Sequence, residues 1–378
     1  MVQQTKKEYL EAIRPRYQTA GREYKRRILD EFVLTCRYHR KHAIRLLNAK
    51  PGKKRRPPGR PSQYGEAERK VLEAIWLAAN RPCAKRLREM LCDWLPHYQK
   101  NHGVLLSEVQ ERLLRVSRRT LDRLLTPVRA VHGNRGKCGT RPGGIIREQI
   151  PIRIDHSEVN APGSMAADTV AHCGNSLEGE FIWSLTLTDI YSGWTENRAV
   201  WNKGYAGVQQ AITDIQQGLP FELRQFHSDN GGEFLNRHLI RYFQEGRIPV
   251  PMTRSRPRHK NDNAHVEQKN FTHVRLLLGY SRLDEPSRVA ACNQLYSAWS
   301  LFNNYFSSNL KLIGKEKIGS RYRKKYDRPK TPYRRLMESA DVSEASKMHM
   351  TEVFLHLDPF KLKRLIDYQQ QQILATVR

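Results

Sequence analysis

Three acidic residues in the middle of the chain have the local sequence and spacing of a metal-binding carboxylate cluster. Asp168 lies in SMAADTVA, Asp229 lies in FHSDNGGEF, and Glu267 lies in NDNAHVEQKN. Carboxylate oxygens are hard ligands that suit Mg²⁺, which takes a few of them and completes its shell with water and substrate phosphate. We therefore predict that Asp168, Asp229 and Glu267 are the metal ligands and catalytic residues of one site.

The elements around these acids predict a mixed α/β sheet flanked by helices. From about residue 164 the chain shows three successive strands with a turn at 191–193, then helix 205–217, strand 223–227, helix 233–244, strand 248–252 and helix 263–278. The pair Gly231-Gly232 permits a sharp turn after the fourth strand, which would leave Asp229 at the carboxyl edge of the sheet. Glu233 is interpreted as a structural acid. His172 is interpreted as a surface or packing histidine, with an approach to the metals or a phosphate as the alternative.

The order of the three acids, with 37 residues between the last two, resembles the retroviral-integrase-like core of the DDE transposases of bacterial insertion sequences. The segments HSDNGGEF and NDNAHVEQKN carry the resemblance, which covers about residues 155–305. It implies a ribonuclease-H-like catalytic core over 155–308, with a mixed five-stranded sheet. It also implies that Asp189, an alternative acid in the second strand, is structural. It also implies two Mg²⁺ ions, with Mn²⁺ as a substitute, and Mg²⁺-dependent nicking of DNA followed by joining of the freed 3′-hydroxyl to target DNA.

Two other functions remain open for the same residues. A metal-dependent nuclease of the same fold would cut DNA without joining it, and a DNA-binding regulator would carry an inactive core. Because transposon ends come in pairs, the resemblance also implies a dimer or a larger homo-oligomer.

The charge distribution indicates double-stranded DNA as the partner. The formal net charge is +28, yet residues 151–310 sum to −1, so the positive charge lies on either side of the predicted core. Lysine and arginine gain free energy by releasing counterions from a phosphate backbone. The chain has no long apolar segment, which argues against a membrane protein, and its six scattered cysteines, without a CxxC pair, fit a reducing cytoplasm.

The segments before the core predict two α-helical DNA-binding domains. Residues 1–49 and 66–130 each have the pattern of a helix-turn-helix, although any small helical bundle gives a similar pattern. A basic, proline-rich linker (50–65) joins them, and a glycine-rich connector (131–154) follows. The cations predicted to contact DNA here are Arg37, Arg40, Lys41, Arg60, Arg118, Arg119 and Arg123.

Further basic residues lie close to the predicted site and after the core. The loop before the last helix of the site supplies Arg256, Arg258 and Lys260, and that helix supplies Lys269 and Arg275; we predict that all five contact DNA, with solvated surface charge as the alternative. Residues 309–378 form a basic C-terminal region. Its segment 321–335 interleaves cations with aromatic residues and suits backbone contact with stacking, or a disordered tail.

Overall fold

The structure is a computed structural model, and it describes residues 3–49, 63–132, 159–228, 233–234, 237–245, 249–255, 264–318 and 321–375. The predicted DNA contacts Arg60, Arg256, Arg258 and Lys260 lie outside these ranges, as does Asp229. The chain divides into two compact units, Met1–Gln63 and Tyr64–Arg378. No helix in the described ranges is long and apolar enough to cross a membrane.

The first unit contains three helices, as the sequence predicted: α1 (Gln3–Thr19), α2 (Arg22–Cys36) and α3 (Arg40–Asn48). Their apolar faces meet around Phe32 and Leu47, which are both fully buried. Helix α3 is held at its start by His39, whose Nδ1 accepts a hydrogen bond from the Lys41 amide at 3.3 Å. The opposite face of α3 remains basic and exposed.

The second unit begins with four helices: α4 (Glu66–Ala78), α5 (Ala84–His102), α6 (Ser107–Arg115) and α7 (Arg118–His132). A two-residue turn joins α6 to α7, and Ser117 Oγ accepts a hydrogen bond from the Thr120 amide at 3.2 Å. This serine satisfies one of the free amides that every helix start presents. Leu121 and Leu125 of α7 are fully buried, whereas its arginines face outward.

A five-stranded mixed sheet follows, in the order β3-β2-β1-β4-β5. Its strands are β1 (Ser164–Ala171), β2 (Ile182–Asp189), β3 (Thr195–Trp201), β4 (Gln225–Ser228) and β5 (Met252–Arg254). The first three strands pair antiparallel, and β4 and β5 continue parallel to β1. This confirms the predicted mixed five-stranded sheet, with β5 beginning later in the sequence than predicted.

Helices cover both faces of the sheet. They are α8 (Tyr205–Gly218), α9 (Arg237–Gln244), α10 (Ala264–Lys269), a π-helical segment (Asn270–Arg275), α11 (Leu276–Leu278) and α12 (Arg288–Phe306). The α8 and α9 side packs on β1 through Met165 and Ala167, and the α10 side packs through Ala166. Alternate residues of β1 therefore face opposite layers, as the two-residue repeat of a strand requires.

The C-terminal region is folded in its described part. A two-stranded hairpin, β6 (Leu312–Ile318) and β7 (Arg321–Tyr326), precedes α13 (Pro332–Met337), α14 (Glu344–His356) and α15 (Pro359–Ala375). Tyr333 stacks on Phe354 with ring centroids 4.9 Å apart, so this aromatic residue packs internally. The disordered-tail alternative is wrong for this part of 321–335.

One hydrophobic core joins the segments that the sequence divided into 66–130, 155–308 and 309–378. Trp94 of α5 is fully buried between Phe302 of α12 and Phe360 of α15, and its indole Nε1 donates to the Phe306 carbonyl at 3.2 Å. The helical segment and the C-terminal helices are thus integral to the unit that contains the sheet.

Candidate active site

Asp168 lies near the middle of β1, the central strand of the sheet, and its carboxylate is fixed by two hydrogen bonds. Its Oδ1 accepts from the amide of Thr169 at 2.8 Å, and its Oδ2 accepts from Nδ2 of Asn270 at 2.6 Å. The side chain is half-buried and keeps access to solvent.

The end of β4 lies beside Asp168 in the sheet. Ser228, the last residue of β4, pairs with Ala167, the residue immediately before Asp168, in parallel register. Asp229 is the next residue in the sequence after Ser228, although it lies outside the described residues. The register thus brings the end of β4 to the strand position just before Asp168.

Helix α10 packs on the face of the sheet to which Ala166 and Asp168 of β1 point. Val266 is fully buried against Ala166 and Ile190, which fixes this helix on β1 and β2. Glu267 is the next residue of α10 and lies three positions before Asn270, a spacing that places two residues on one helix face. Its side chain lies outside the described part of the structure.

The described side chains alone do not form a metal cluster. No group of three His, Cys, Asp or Glu side chains within the described ranges is placed to hold a metal ion. Of the three predicted ligands, the described side chains include only Asp168.

A π-helical segment follows α10, and it connects the helix to β1 at two points. Asn270, its first residue, bonds to Asp168, and Arg275, its last, donates from Nη2 to the Ala171 carbonyl at 3.0 Å. Single π turns within helices occur frequently at functional sites. The segment holds the helix against the whole second half of β1.

Arg275, which we predicted to contact DNA, is half-buried and makes several contacts within the protein. Besides its bond to Ala171, it donates from Nη1 to the Gly279 carbonyl at 3.3 Å and stacks on the Tyr280 ring, 4.7 Å from the centroid. Burial lowers its pKa from the ordinary arginine value. Its guanidinium thus links the end of β1 to the segment after α11.

Lys269, also predicted to contact DNA, is half-buried and makes a hydrogen bond within the protein. Its Nζ donates to the Gly193 carbonyl at 3.4 Å, in the turn between β2 and β3. Burial, together with the nearby positive charge of Arg86, lowers the pKa of Lys269 to about 7.

The predicted cations of the two helical segments do face solvent. Exposed side chains are those of Arg37, Arg40, Lys41, Arg118, Arg119 and Arg123. Arg40 forms an ion pair with Asp30, and the pair is half-exposed. The structure therefore leaves both α3 and α7 with basic outer faces.

Asp189 and Glu233, the two acids interpreted as structural, both accept hydrogen bonds within the protein. Asp189 is fully buried and accepts hydrogen bonds from the amide of Ser192 at 2.7 Å and of Gly163 at 2.9 Å, while burial raises its pKa. Glu233 accepts from the Thr169 hydroxyl at 2.6 Å. Because Thr169 and Asp168 are consecutive in a strand, they face opposite sides of the sheet.

His172 is a core residue. Its Nε2 lies 2.7 Å from the Ser184 hydroxyl, which in turn lies 2.5 Å from the Tyr296 hydroxyl. Burial, aided by the charge of Arg275, lowers the pKa of His172 to about 3. A neutral imidazole in this position contributes packing and a hydrogen bond, which supports the packing interpretation.

Sequence reasoning did not single out Asn270, which makes the closest side-chain contact that the structure gives Asp168. The signal available was its spacing of three residues from Glu267 on a predicted helix, which places both on one face. Arg86, whose charge acts on Lys269, was also missed, because 183 sequence positions separate the two residues.

Comparisons with known proteins place the chain in a family. No established family model matches it. The uncharacterized protein y4rM of Sinorhizobium fredii is 38% identical over 338 residues, covering 88% of this chain and 95% of that protein. The chain therefore belongs to the same family as y4rM. Among solved structures, the catalytic core domain of BIV integrase matches with a TM-score of 0.29 and 16% identity, over 46% of this chain and 91% of that one.

Proposed function

We propose that the protein is a DNA transposase that nicks and joins DNA with divalent metal ions. The observation that carries the proposal is the meeting of three elements at Asp168. The end of β4 lies in register beside it, and the helix that contains Glu267 reaches it through Asn270. Asp168 and Glu267 thus belong to elements that contact one another at this point of the sheet, and Asp229 follows the last residue of β4 in the sequence.

The chemistry of the donor set fits Mg²⁺, because carboxylates are its usual protein ligands. Asp168, Asp229 and Glu267 would hold two ions, with Mn²⁺ as a substitute. Such a pair activates the attacking oxygen and stabilises the leaving oxygen of an in-line displacement at phosphorus. The role of Asn270 is to fix the Asp168 carboxylate in one orientation, which lowers the cost of assembling the site.

The outer faces of α3 and α7 would hold double-stranded DNA. Both helices follow a short turn from the preceding helix and carry exposed cations, an arrangement suited to phosphate and groove contacts. The proposal includes a dimer or larger assembly, since two ends must be brought together before joining.

Candidate end sequences come from the inverted repeats that would flank the coding region. The test incubates the full chain with labelled end duplexes, Mg²⁺ and a supercoiled plasmid, and measures cut and joined products on gels. We expect joined products from the wild type. Glu267→Gln should lose them while still binding ends, because it removes a ligand charge with little change in size.

The matched control is Glu352→Gln, at an exposed position of α14, which should retain full activity. Joined products formed by Glu267→Gln at the wild-type rate would contradict the assignment. Cut products without joining would favour a nuclease, and bound but uncut DNA would favour a regulator.

A further inference from the structure

Four nitrogen-bearing side chains meet where α5, the π-helical segment and α12 pack together. Arg86 lies in the first turn of α5, Lys269 and His273 lie four residues apart at the end of α10 and in the π-helical segment, and Trp299 lies on α12. The rings of His273 and Trp299 pack edge to face with centroids 5.6 Å apart. Arg86 and Lys269 are near enough that both charges oppose protonation of His273. We call these residues the basic cluster.

The cluster holds buried polar atoms with unfilled hydrogen-bonding capacity. Nε of Arg86, Nδ1 of His273 and Nε1 of Trp299 are all buried and have no hydrogen-bond partner within the described structure. The remaining member, Lys269, makes one long bond to a carbonyl at 3.4 Å. Buried polar groups are nearly always paired, so several unpaired ones at one place indicate a missing partner.

The missing partner carries negative charge. Neither Arg86 nor Lys269 forms an ion pair with any carboxylate that the structure describes. Two neighbouring cations in a partly buried position repel one another, and the repulsion is stronger there than in water. An anion between them would remove this repulsion and accept hydrogen bonds from the donors.

The burial of the cluster is graded. His273 and Trp299 are 2% and 7% exposed, whereas Arg86 and Lys269 are half-buried. The two cations are therefore more accessible from solvent than the imidazole and the indole. This order suits a ligand with a charged group that has several oxygen acceptors.

We propose that the basic cluster is a binding site for a phosphate group, separate from the carboxylate site. Successive residues of a helix are rotated by about 100°, so Lys269 lies about 200° around the helix from the position of Glu267. The phosphate is either free inorganic phosphate or one group of a DNA backbone. The inference goes beyond the proposed function, since binding of free phosphate requires no DNA chemistry.

The test measures the melting temperature of the full chain in increasing inorganic phosphate, with chloride adjusted to keep the ionic strength constant. We compare the wild type with Arg86→Gln and Lys269→Met, and we use Arg88→Gln as the matched control. Arg88 lies two residues from Arg86 on the same helix, is exposed, and makes no described contact with the cluster. A ligand that binds only the folded state raises the melting temperature.

We expect phosphate to raise the melting temperature of the wild type and of Arg88→Gln, and to leave both cluster variants unchanged. Without phosphate, Arg86→Gln should melt at the wild-type temperature or above it, because it relieves a repulsion. A purely structural arginine would behave oppositely, with a lower starting temperature and the same response to phosphate; that result would overturn the proposal.

The second arm identifies the source of the phosphate. If free phosphate has no effect, Arg86→Gln should weaken binding of a duplex about tenfold relative to Arg88→Gln and reduce the salt dependence by about one phosphate contact. If neither phosphate nor duplex distinguishes Arg86→Gln and Lys269→Met from Arg88→Gln, there is no such site. Neither arm of the test measures joining, so the effect of Glu267→Gln on joining does not change the outcome of either arm.

Discussion

The side-chain amide of Asn270 donates a hydrogen bond to Oδ2 of Asp168 across the boundary between helix and sheet, at 2.6 Å. Asn270 begins the π-helical segment, and Asp168 lies in the central strand. The contact therefore ties the orientation of a proposed metal ligand to the position of the helix that contains another.

Replacing Asn270 by alanine should reduce DNA joining by about tenfold to a hundredfold, because a hydrogen bond to a charged group contributes about 1.5–3 kcal/mol. Joining assays at saturating DNA measure the effect. Thr272→Ala, two residues further along, serves as the control, because its half-exposed hydroxyl donates to backbone carbonyls of the same helical stretch. Full activity in Asn270→Ala would show that Asp168 needs no such support.

Removing the three exposed arginines of α7 together should weaken DNA binding and make it less dependent on salt. The variant is Arg118→Ala/Arg119→Ala/Arg123→Ala. If each arginine contacts a phosphate, the slope of log affinity against log salt should fall by about 0.9 per contact, or about 3 in total. Binding titrations between low and moderate salt measure it. Arg241→Ala, an exposed arginine on α9, should leave the slope unchanged.

Asp358 should stabilise the second unit in a way that disappears in acid. Its Oδ1 accepts from the amides of Phe360 and Lys361 at the start of α15, and its Oδ2 accepts from Asn101 of α5 at 2.9 Å. Burial would raise the pKa of Asp358, but the hydrogen bonds from Asn101 and the two amides outweigh it and lower the pKa.

A lowered carboxyl pKa contributes stability that is present above the unfolded value, about 3.9, and is lost as the pH falls through the folded value. Asp358→Ala should therefore cost about 2 kcal/mol at neutral pH, and the difference from wild type should shrink below about pH 4. Urea unfolding at several pH values measures this. Asp367→Ala, which removes a half-exposed pair with Lys363 on the same helix, should cost much less.

Phe360→Ala should destabilise the entire second unit by about 3–5 kcal/mol, the usual cost of removing a buried phenylalanine. The ring packs against Trp94, Tyr98 and His102 of α5. Hydrogen exchange should show the loss in the sheet as well as in α5, since all share one core. Leu355→Ala, at a side chain that is 74% exposed, is the control. A loss confined to α15 would indicate independent folding of the C-terminal region.

The sequence predicted the sheet well because each strand carries its own pattern. The segment SMAADTVA forms β1 as expected, and the alternation of small and polar residues there matches its two packed faces. The last strand was predicted less well. We expected it at residues 248–252, but β5 begins at Met252, which pairs with Phe226 of β4. Strand boundaries of this kind are fixed by the partner strand.

Residues that act through distant partners could not be predicted from local sequence. Lys269 and Arg275 lie in a polar segment whose pattern indicates a solvated helix face, yet Lys269 bonds to the Gly193 carbonyl and Arg275 to the Ala171 carbonyl. Tyr333 and Arg335 suggested nucleic-acid contact, but Tyr333 stacks on Phe354 and Arg335 pairs with Asp327 at 2.6 Å. In each case the neighbour that sets the contact is distant in the sequence, or it lies in an element whose packing cannot be predicted from the local sequence pattern.

The shared core also sets an order for biosynthesis. Asn101 and Asp358, which hold α5 and α15 together, are separated by 257 positions along the chain. A ribosome that has completed α5 must therefore release most of the remaining polypeptide before Trp94 can be covered by Phe360. Until then the nascent chain presents a large aromatic surface, a state in which chains bind chaperones or aggregate. Helix α15, which is synthesised long after α5, is thus the helix that covers Trp94.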